Sequence, residues 1–217
     1  MSESKPIVIA IDGPSASGKS TNSRIIAEEL GYVYVDTGAM YRTLAWYALQ
    51  TGTDVTDQNA IEVLCGKWPA KLVCRENSVW LEVEGCFPEA EIRSSEVSVA
   101  VSYVAQVPYV REWMKKHQRS CVDFGNLVME GRDITSNIFP DTPHKFYMDA
   151  SASERQARRD ADGVEENLAA RDQRDSTRKT APLVVVEGAT VINNSGESPE
   201  ETSERIIALV EAQQQEI

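Results

Sequence analysis

Apolar and polar positions along the chain alternate between a period of two and a period near 3.6, and the two patterns follow one another as strand, helix, strand, helix. Residues 7 to 12, IVIAID, are a β-branched apolar run ending on an acid, which predicts a buried strand. The next segment, STNSRIIAEEL, sets Ile25, Ile26 and Leu30 at helical spacing, and Gly31 marks the C-terminal cap. YVYVD at 32 to 36 reads as a second strand, a helix follows over 39 to 50, and TGTDVTD breaks it before a short helix over 57 to 66. From 71 to 85 the pattern changes. Leu72 and Cys74, then Val79, Leu81 and Val83, alternate with polar residues around Glu76-Asn77, which predicts a β-hairpin. Helices are expected over 92 to 105 and 108 to 121, separated at Pro108, and strands at NLVME (126 to 130), HKFYMDA (144 to 150) and ATVINN (189 to 194). Ser151 with Glu154, and Ser198 with Glu201 around Pro199, have the spacing of N-terminal capping boxes.

The alternation carries no internal repeat. It predicts an α/β fold with a parallel sheet covered by helices on both faces, to which the hairpin is an addition. The stretch from 151 to 180 stands apart, with 14 of its 30 residues charged, too polar to add much core.

Between the first strand and the first helix lies GPSASGKS, residues 13 to 20, which fills the pattern G-x-x-x-x-G-K-[ST] in the required strand, loop, helix order. A loop that wraps phosphate turns its backbone N–H groups inward, and Gly13 and Gly18 allow the backbone approach that a Cβ would block. Pro14, Ser15, Ala16 and Ser17 complete the loop, and Thr21 follows it on a helix whose N-terminus faces the anion. Lys19 is placed to reach the β and γ phosphates of a nucleotide, and the Ser20 hydroxyl to ligate Mg²⁺.

Composition narrows the choice. The 217 residues are 41% apolar, enough for one α/β core with sizeable insertions, so one domain with flaps is expected. A formal charge of −12 disfavours a nucleic-acid or membrane surface, since both need a basic face; a polyanionic ligand must enter a locally basic cleft. The N-terminus is polar and no apolar run nears the length of a membrane span. Cys65, Cys74, Cys86 and Cys121 form no C-x-x-C pair, and read as reduced thiols of a cytoplasmic protein. His117 and His144 are isolated and read as structural, and a monomer is expected.

Other P-loop classes fit poorly. No N-K-x-D occurs to read guanine, and DADG at 160 to 163 lies in the charged stretch. DFG at 123 to 125 has no H-R-D beside it. What remains is a small kinase with ATP on the P-loop and an acceptor nearby. DTGAMYR, 36 to 42, follows the second strand, and ligands of open α/β sheets sit at that carboxyl edge, which places Thr37, Tyr41 and Arg42 near the transferred phosphate. On the residues alone the acceptor stays open among nucleotides and non-nucleotides, as does a regulator that binds without turnover, although intact Lys19, Ser20, Arg42 and Arg132 argue against the last.

GPSASGKS, VDTGAMYR, VMEGRDI, IFPD, FYMDASASER and RDQRDSTRKTAPL occur in the order and approximate spacing of bacterial-type cytidylate kinases, and the chain resembles that family over nearly its whole length. The resemblance implies an adenylate-kinase-like fold with a five-stranded parallel sheet. It implies a core of about 1–37, 122–150 and 181–217, a nucleotide-monophosphate flap of about 38–121 that holds the hairpin, and a short lid of about 151–180. It further implies transfer of the γ-phosphoryl group of ATP to CMP or dCMP. Thr37, Arg42 and Arg132 would hold the CMP phosphate, with Tyr41 beside it. Arg155, Arg158 and Arg159 would close from the lid, no one of them singled out. Ser102, Arg111 and Asp133 would read cytosine, Arg171 and Asp175 would contact the ribose, and Arg178 would lie near the nucleotide. Glu130, at a strand end beside the P-loop, would hold Mg²⁺ through water.

Overall fold

The computed structural model describes residues 5–161, 168–178 and 180–215. The chain folds as two compact units, Met1–Val35 with Val122–Ile217, and Asp36–Cys121. In chain order the strands are β1 (Val8–Asp12), β2 (Val33–Asp36), β3 (Ala70–Arg75), β4 (Ser78–Val83), β5 (Leu127–Gly131), β6 (His144–Asp149) and β7 (Thr190–Asn193). The α-helices are α1 (Lys19–Leu30), α2 (Thr37–Gln50), α3 (Gln58–Cys65), α4 (Ser95–Val104), α5 (Pro108–Ser120), α6 (Ala152–Ala161), α7 (Leu168–Ser176) and α8 (Pro199–Gln215).

In the first unit the strands lie in the order β2-β5-β1-β6-β7, and β1 pairs in parallel with β5 and with β6, as β6 does with β7. β1 is buried throughout and lies between β5 and β6, and its parallel pairing with both requires crossover connections through the helices. Ile9, Ile11, Val128, Phe146, Met148 and Ile192 from the sheet pack with Ile26 and Ala27 of α1 and with Ile206 and Val210 of α8. Two caps behave as the sequence foretells. Gly31 takes the left-handed conformation (φ 64°) that ends α1, its N–H donating to the Ala27 and Glu28 carbonyls. Ser198 and Glu201 exchange both bonds of a capping box, at 2.8 and 3.1 Å. At α6 the box is half formed: Ser151 Oγ accepts from Glu154 N–H at 3.3 Å, but the Glu154 carboxylate turns to the Gly196 N–H at 2.8 Å.

The second unit is built on helices and the hairpin. Met40, Leu44, Ala48, Ile61, Val97, Ala100, Val104, Val110 and Met114 are among its buried apolar positions, and α2 packs on α4. β3 and β4 are antiparallel, with Leu72 opposite Leu81 and Cys74 opposite Val79. Glu76 and Asn77 both have positive φ (49° and 55°), the two-residue turn whose twist suits a hairpin. The expectation of a five-stranded parallel sheet is therefore corrected in strand number, while the hairpin expected as an addition is present. The described residues contain seven strands, and β3 and β4 run antiparallel.

One turn is not foreseen by the sequence pattern. After β5 the chain makes a π-helical turn over Ile134–Ile138, in which Ile138 and Phe139 N–H bond the carbonyls five residues back, of Asp133 and Ile134. Asp12 causes it. Its two carboxylate oxygens accept from Ile134 N–H (2.9 Å), Thr135 N–H (2.8 Å) and Thr135 Oγ1 (2.7 Å).

Candidate active site

The P-loop of the first unit is held by its neighbours more tightly than its glycines alone would require. A Cβ on Gly13 would stand 2.0 Å from the Met148 carbonyl oxygen, inside the backbone of β6, so only glycine fits. Gly18 (φ 89°) precedes α1 in the left-handed region, and a Cβ there would meet Asn194 Nδ2 at 2.9 Å. Asn194 in turn donates to the Ser17 carbonyl at 3.0 Å. Ser15 and Ser17 are buried, Ala16 and Ser20 half-buried, and Thr21 exposed.

Lys19 opens α1 and is buried, its Nζ donating to the Pro14 carbonyl at 2.7 Å and to Ser17 Oγ at 3.3 Å. Burial first, then the charge of Arg132 and that of Arg171, pull its ammonium down to about 7, against Glu130 and Asp12. The sign has two consequences. Between about 7 and the ordinary lysine value the folded chain carries a neutral amine and the unfolded chain an ammonium, so this group's contribution to stability rises with pH across that window. A polyphosphate selects the ammonium, so its binding takes up a proton in the same window. Calorimetric titration of inorganic triphosphate in buffers of differing ionisation enthalpy at about pH 8 to 9 is expected to show uptake of close to one proton. Lys19→Met is expected to abolish it.

Around Lys19 the charges are ordered by α7. Arg132, at the end of β5, donates from Nε to Asp175 Oδ2 at 2.8 Å, and Arg178 donates to the other Asp175 oxygen. Burial works against the ionised Asp175, but Arg132, Arg178 and Arg171 overcome it and hold the carboxyl below the usual range. Burial likewise opposes the Arg132 cation, and Asp175 with Glu130 raises it above the ordinary value. Glu130 is buried and accepts from Tyr34 Oη at 2.6 Å. Asp12, its carboxyl pushed up by burial despite its three hydrogen bonds, serves as a strut between β1 and the π turn. Asp133 is buried at the start of that turn and accepts from Asn137 Nδ2 at 3.0 Å.

The three arginines of α6 all meet the P-loop or its supports. Arg155 Nη1 donates to the Ser15 carbonyl at 3.1 Å and to Asp172 of α7, Arg159 Nη2 donates to Ser15 Oγ at 3.3 Å, and Arg158 donates to Asn194 Oδ1 at 3.3 Å. Arg155 and Arg159 thus meet the P-loop that holds Lys19, Arg158 meets Asn194 beside it, and Arg132 lies close enough for its charge to act on Lys19, all in an acidic molecule. Such a site can bind a polyphosphate and neutralise charge that develops on it.

In the second unit, Asp36 caps α2 by accepting from Ala39 N–H at 2.8 Å and pairs with Arg93 at 3.1 Å; Thr37 is buried beside it. Tyr41 and Arg42 are half-buried on the first turns of α2. Arg111 is buried rather than lying on an open helix face, with Nη1 on the Ala105 carbonyl at 3.3 Å and its guanidinium 5.9 Å from the Tyr41 ring centroid. Ser102 is half-buried, its hydroxyl donating to the Val99 carbonyl at 2.7 Å. The histidines are packed as structural groups: His144 bonds Gln213 at 2.7 Å, and His117 stacks on Trp113 at 3.5 Å.

The family model for cytidylate kinase matches residues 9–212. The chain belongs to the cytidylate kinase family. It is 41% identical over 215 residues to the cytidylate kinase of Geobacillus thermodenitrificans, a match covering 94% of this chain and 96% of that one. The Streptococcus suis cytidylate kinase is 40% identical over 208 residues (90% and 92% covered), and that of Bacillus subtilis 37% over 218 residues (95% and 97%). As a cytidylate kinase family member the chain has a mostly parallel α/β kinase fold, and among the described residues no helix is long and apolar enough to cross a membrane. Two residues that support the site carry no signal of it in the sequence. Asp172 is one more charge in the RDQRDSTR run, and Asn194, just past β7, belongs to no motif.

Proposed function

We propose that the protein transfers the γ-phosphoryl group of ATP to CMP and dCMP, as a cytoplasmic monomer with no nucleic-acid partner. The observation that carries this reading is the convergence of Lys19, Arg132 and the α6 arginines on the P-loop, in a chain of the cytidylate kinase family. The residues from Gly13 to Thr21 cradle the donor phosphates. A nucleoside monophosphate has a second phosphate pKa of about 6, so its oxygen is already a nucleophile at neutral pH and no side-chain base is required. The chain's task is to hold two polyanions in line and to exclude water.

Residues 38–121 act as the acceptor flap and 151–180 as the lid. By the family resemblance Thr37, Tyr41 and Arg42 are assigned to the acceptor phosphate, as is Arg132. Arg155, Arg158 and Arg159 neutralise charge on the transferring group. Arg171, Asp175 and Arg178 address the sugar side of the nucleotide. Ser20 and, through water, the buried Glu130 are the hard oxygen donors that suit Mg²⁺, an ion that keeps several waters and phosphate oxygens around it. When bound, Mg²⁺ supplies charge neutralisation between the donor phosphates.

Cytosine offers an amino donor at N4 and acceptors at N3 and O2, whereas uracil reverses the pattern at positions 3 and 4. A carboxylate paired with a guanidinium matches the first, and it is the family resemblance that assigns the base to Asp133, Arg111 and Ser102. With ATP and Mg²⁺, a panel of acceptors is expected to rank CMP and dCMP first, with UMP at least about a hundredfold lower in kcat/KM. UMP turning over as fast as CMP defeats the base assignment. ATP binding with no transfer to any monophosphate defeats the whole reading.

A further inference from the structure

Asp172 of α7 stands where a donor phosphate oxygen would be expected to stand. One of its oxygens accepts from the backbone N–H of Ser15, inside the P-loop, at 3.3 Å, and the other accepts from Arg155 Nη1 at 2.5 Å. Both partners are of the kind that phosphate recruits, a loop N–H and a guanidinium. The pair is well shielded, with side-chain exposures of 14% for Arg155 and 19% for Asp172. Arg155 is not fully satisfied by this arrangement. Among the described residues its Nε is buried without a hydrogen-bond partner, and the Asp149 carboxylate lies 3.9 Å away, beyond hydrogen-bond reach.

We propose that Asp172 is an internal competitor of the donor triphosphate, a carboxylate that occupies the Ser15 N–H and the Arg155 guanidinium and is displaced from both as phosphate enters. The proposal rests on the reading of the P-loop as the donor site. Displacement changes the partner of Arg155 without requiring the arginine to travel: it leaves a carboxylate that is already in the loop and meets a phosphate in the same place, where its Nε also gains an acceptor. Asp172 therefore sets the donor's affinity. It does so by competition and not by contact with substrate, which makes it a positioning residue.

Asp172→Asn keeps the shape and removes the charge. Asp149→Asn removes an equal charge 3.9 Å from the same guanidinium but touches no P-loop N–H, and so controls for general electrostatics. Dissociation constants for ATP and for inorganic triphosphate, measured by calorimetry on the full-length protein, are expected to fall about tenfold in Asp172→Asn. In Asp149→Asn they are expected to change less than about twofold. Unchanged or weaker binding in Asp172→Asn overturns the proposal, as does an equal gain in both variants. Thermal melting confirms that each variant is folded, and Asp172→Glu, which keeps the charge, serves as a second probe if the first does not fold; it is expected to bind no more tightly than the native chain, and tighter binding overturns the proposal. Inorganic triphosphate separates this test from the choice of acceptor. A native chain that binds it but does not phosphorylate CMP defeats the proposed function and leaves the competition measurable.

Discussion

Replacing Lys19 with methionine is expected to lower kcat by about 10²- to 10³-fold, the loss that follows removal of one charge-stabilising donor from a water-excluded site. The folded chain should tolerate the change. Lys19 is buried, and its ammonium is pulled down to about 7, so the native protein holds this charge against its own preference for a neutral group. Methionine keeps the apolar stem and removes the conflict, so the melting temperature should hold or rise. Steady-state rates with ATP and CMP, read beside a thermal melt, check both halves. A rate within tenfold of native in a folded variant removes Lys19 from the chemistry.

Arg132→Met should fail in two ways at once. Turnover is expected to fall by about 10²- to 10³-fold through loss of a phosphate clamp. Stability should fall as well, because Asp175 has a side-chain exposure of only 4% and would lose the Arg132 guanidinium while keeping Arg178. Breaking a buried pair from one side costs about 3 to 5 kcal/mol, and the remaining partner here should bring the loss to the lower end. The pH dependence identifies the cause. Asp175 has its folded value depressed, so its stabilisation is present above its unfolded value of about 3.9 and is lost as pH falls through the folded value. The stability gap between native and variant should therefore be widest near neutrality and close in acid. Adding Asp175→Asn to Arg132→Met should recover part of the stability and none of the turnover, a split that denaturant melts and rate measurements resolve.

Much of the scaffold is legible in the sequence because its signals are local. The P-loop pattern, the capping pair Ser198 and Glu201, the turn at Glu76-Asn77 and the alternation in β4 each complete themselves within a few residues. The rest is carried by partners far apart. The Ser15 to Asp172 bond spans 157 positions, the Asn194 to Ser17 bond 177, and the Asp12 to Thr135 bonds 123, and no periodicity announces any of them. Arg111 shows the same limit in another form. Its helix reads as polar along the chain, and only the folded second unit reveals that the guanidinium is buried over Tyr41. A charged stretch such as 151 to 180 looks like solvated surface until its arginines find the loop that pairs with them.

Asp12 lies one residue before Gly13, and its carboxylate grips the two residues that follow Asp133. The P-loop and the turn that follows Arg132 and Asp133 are thereby riveted to a single side chain. Neither can be recalibrated alone. On the proposed assignment of donor to the P-loop and acceptor to Arg132 and Asp133, a change that loosens this rivet should alter fit to both substrates together.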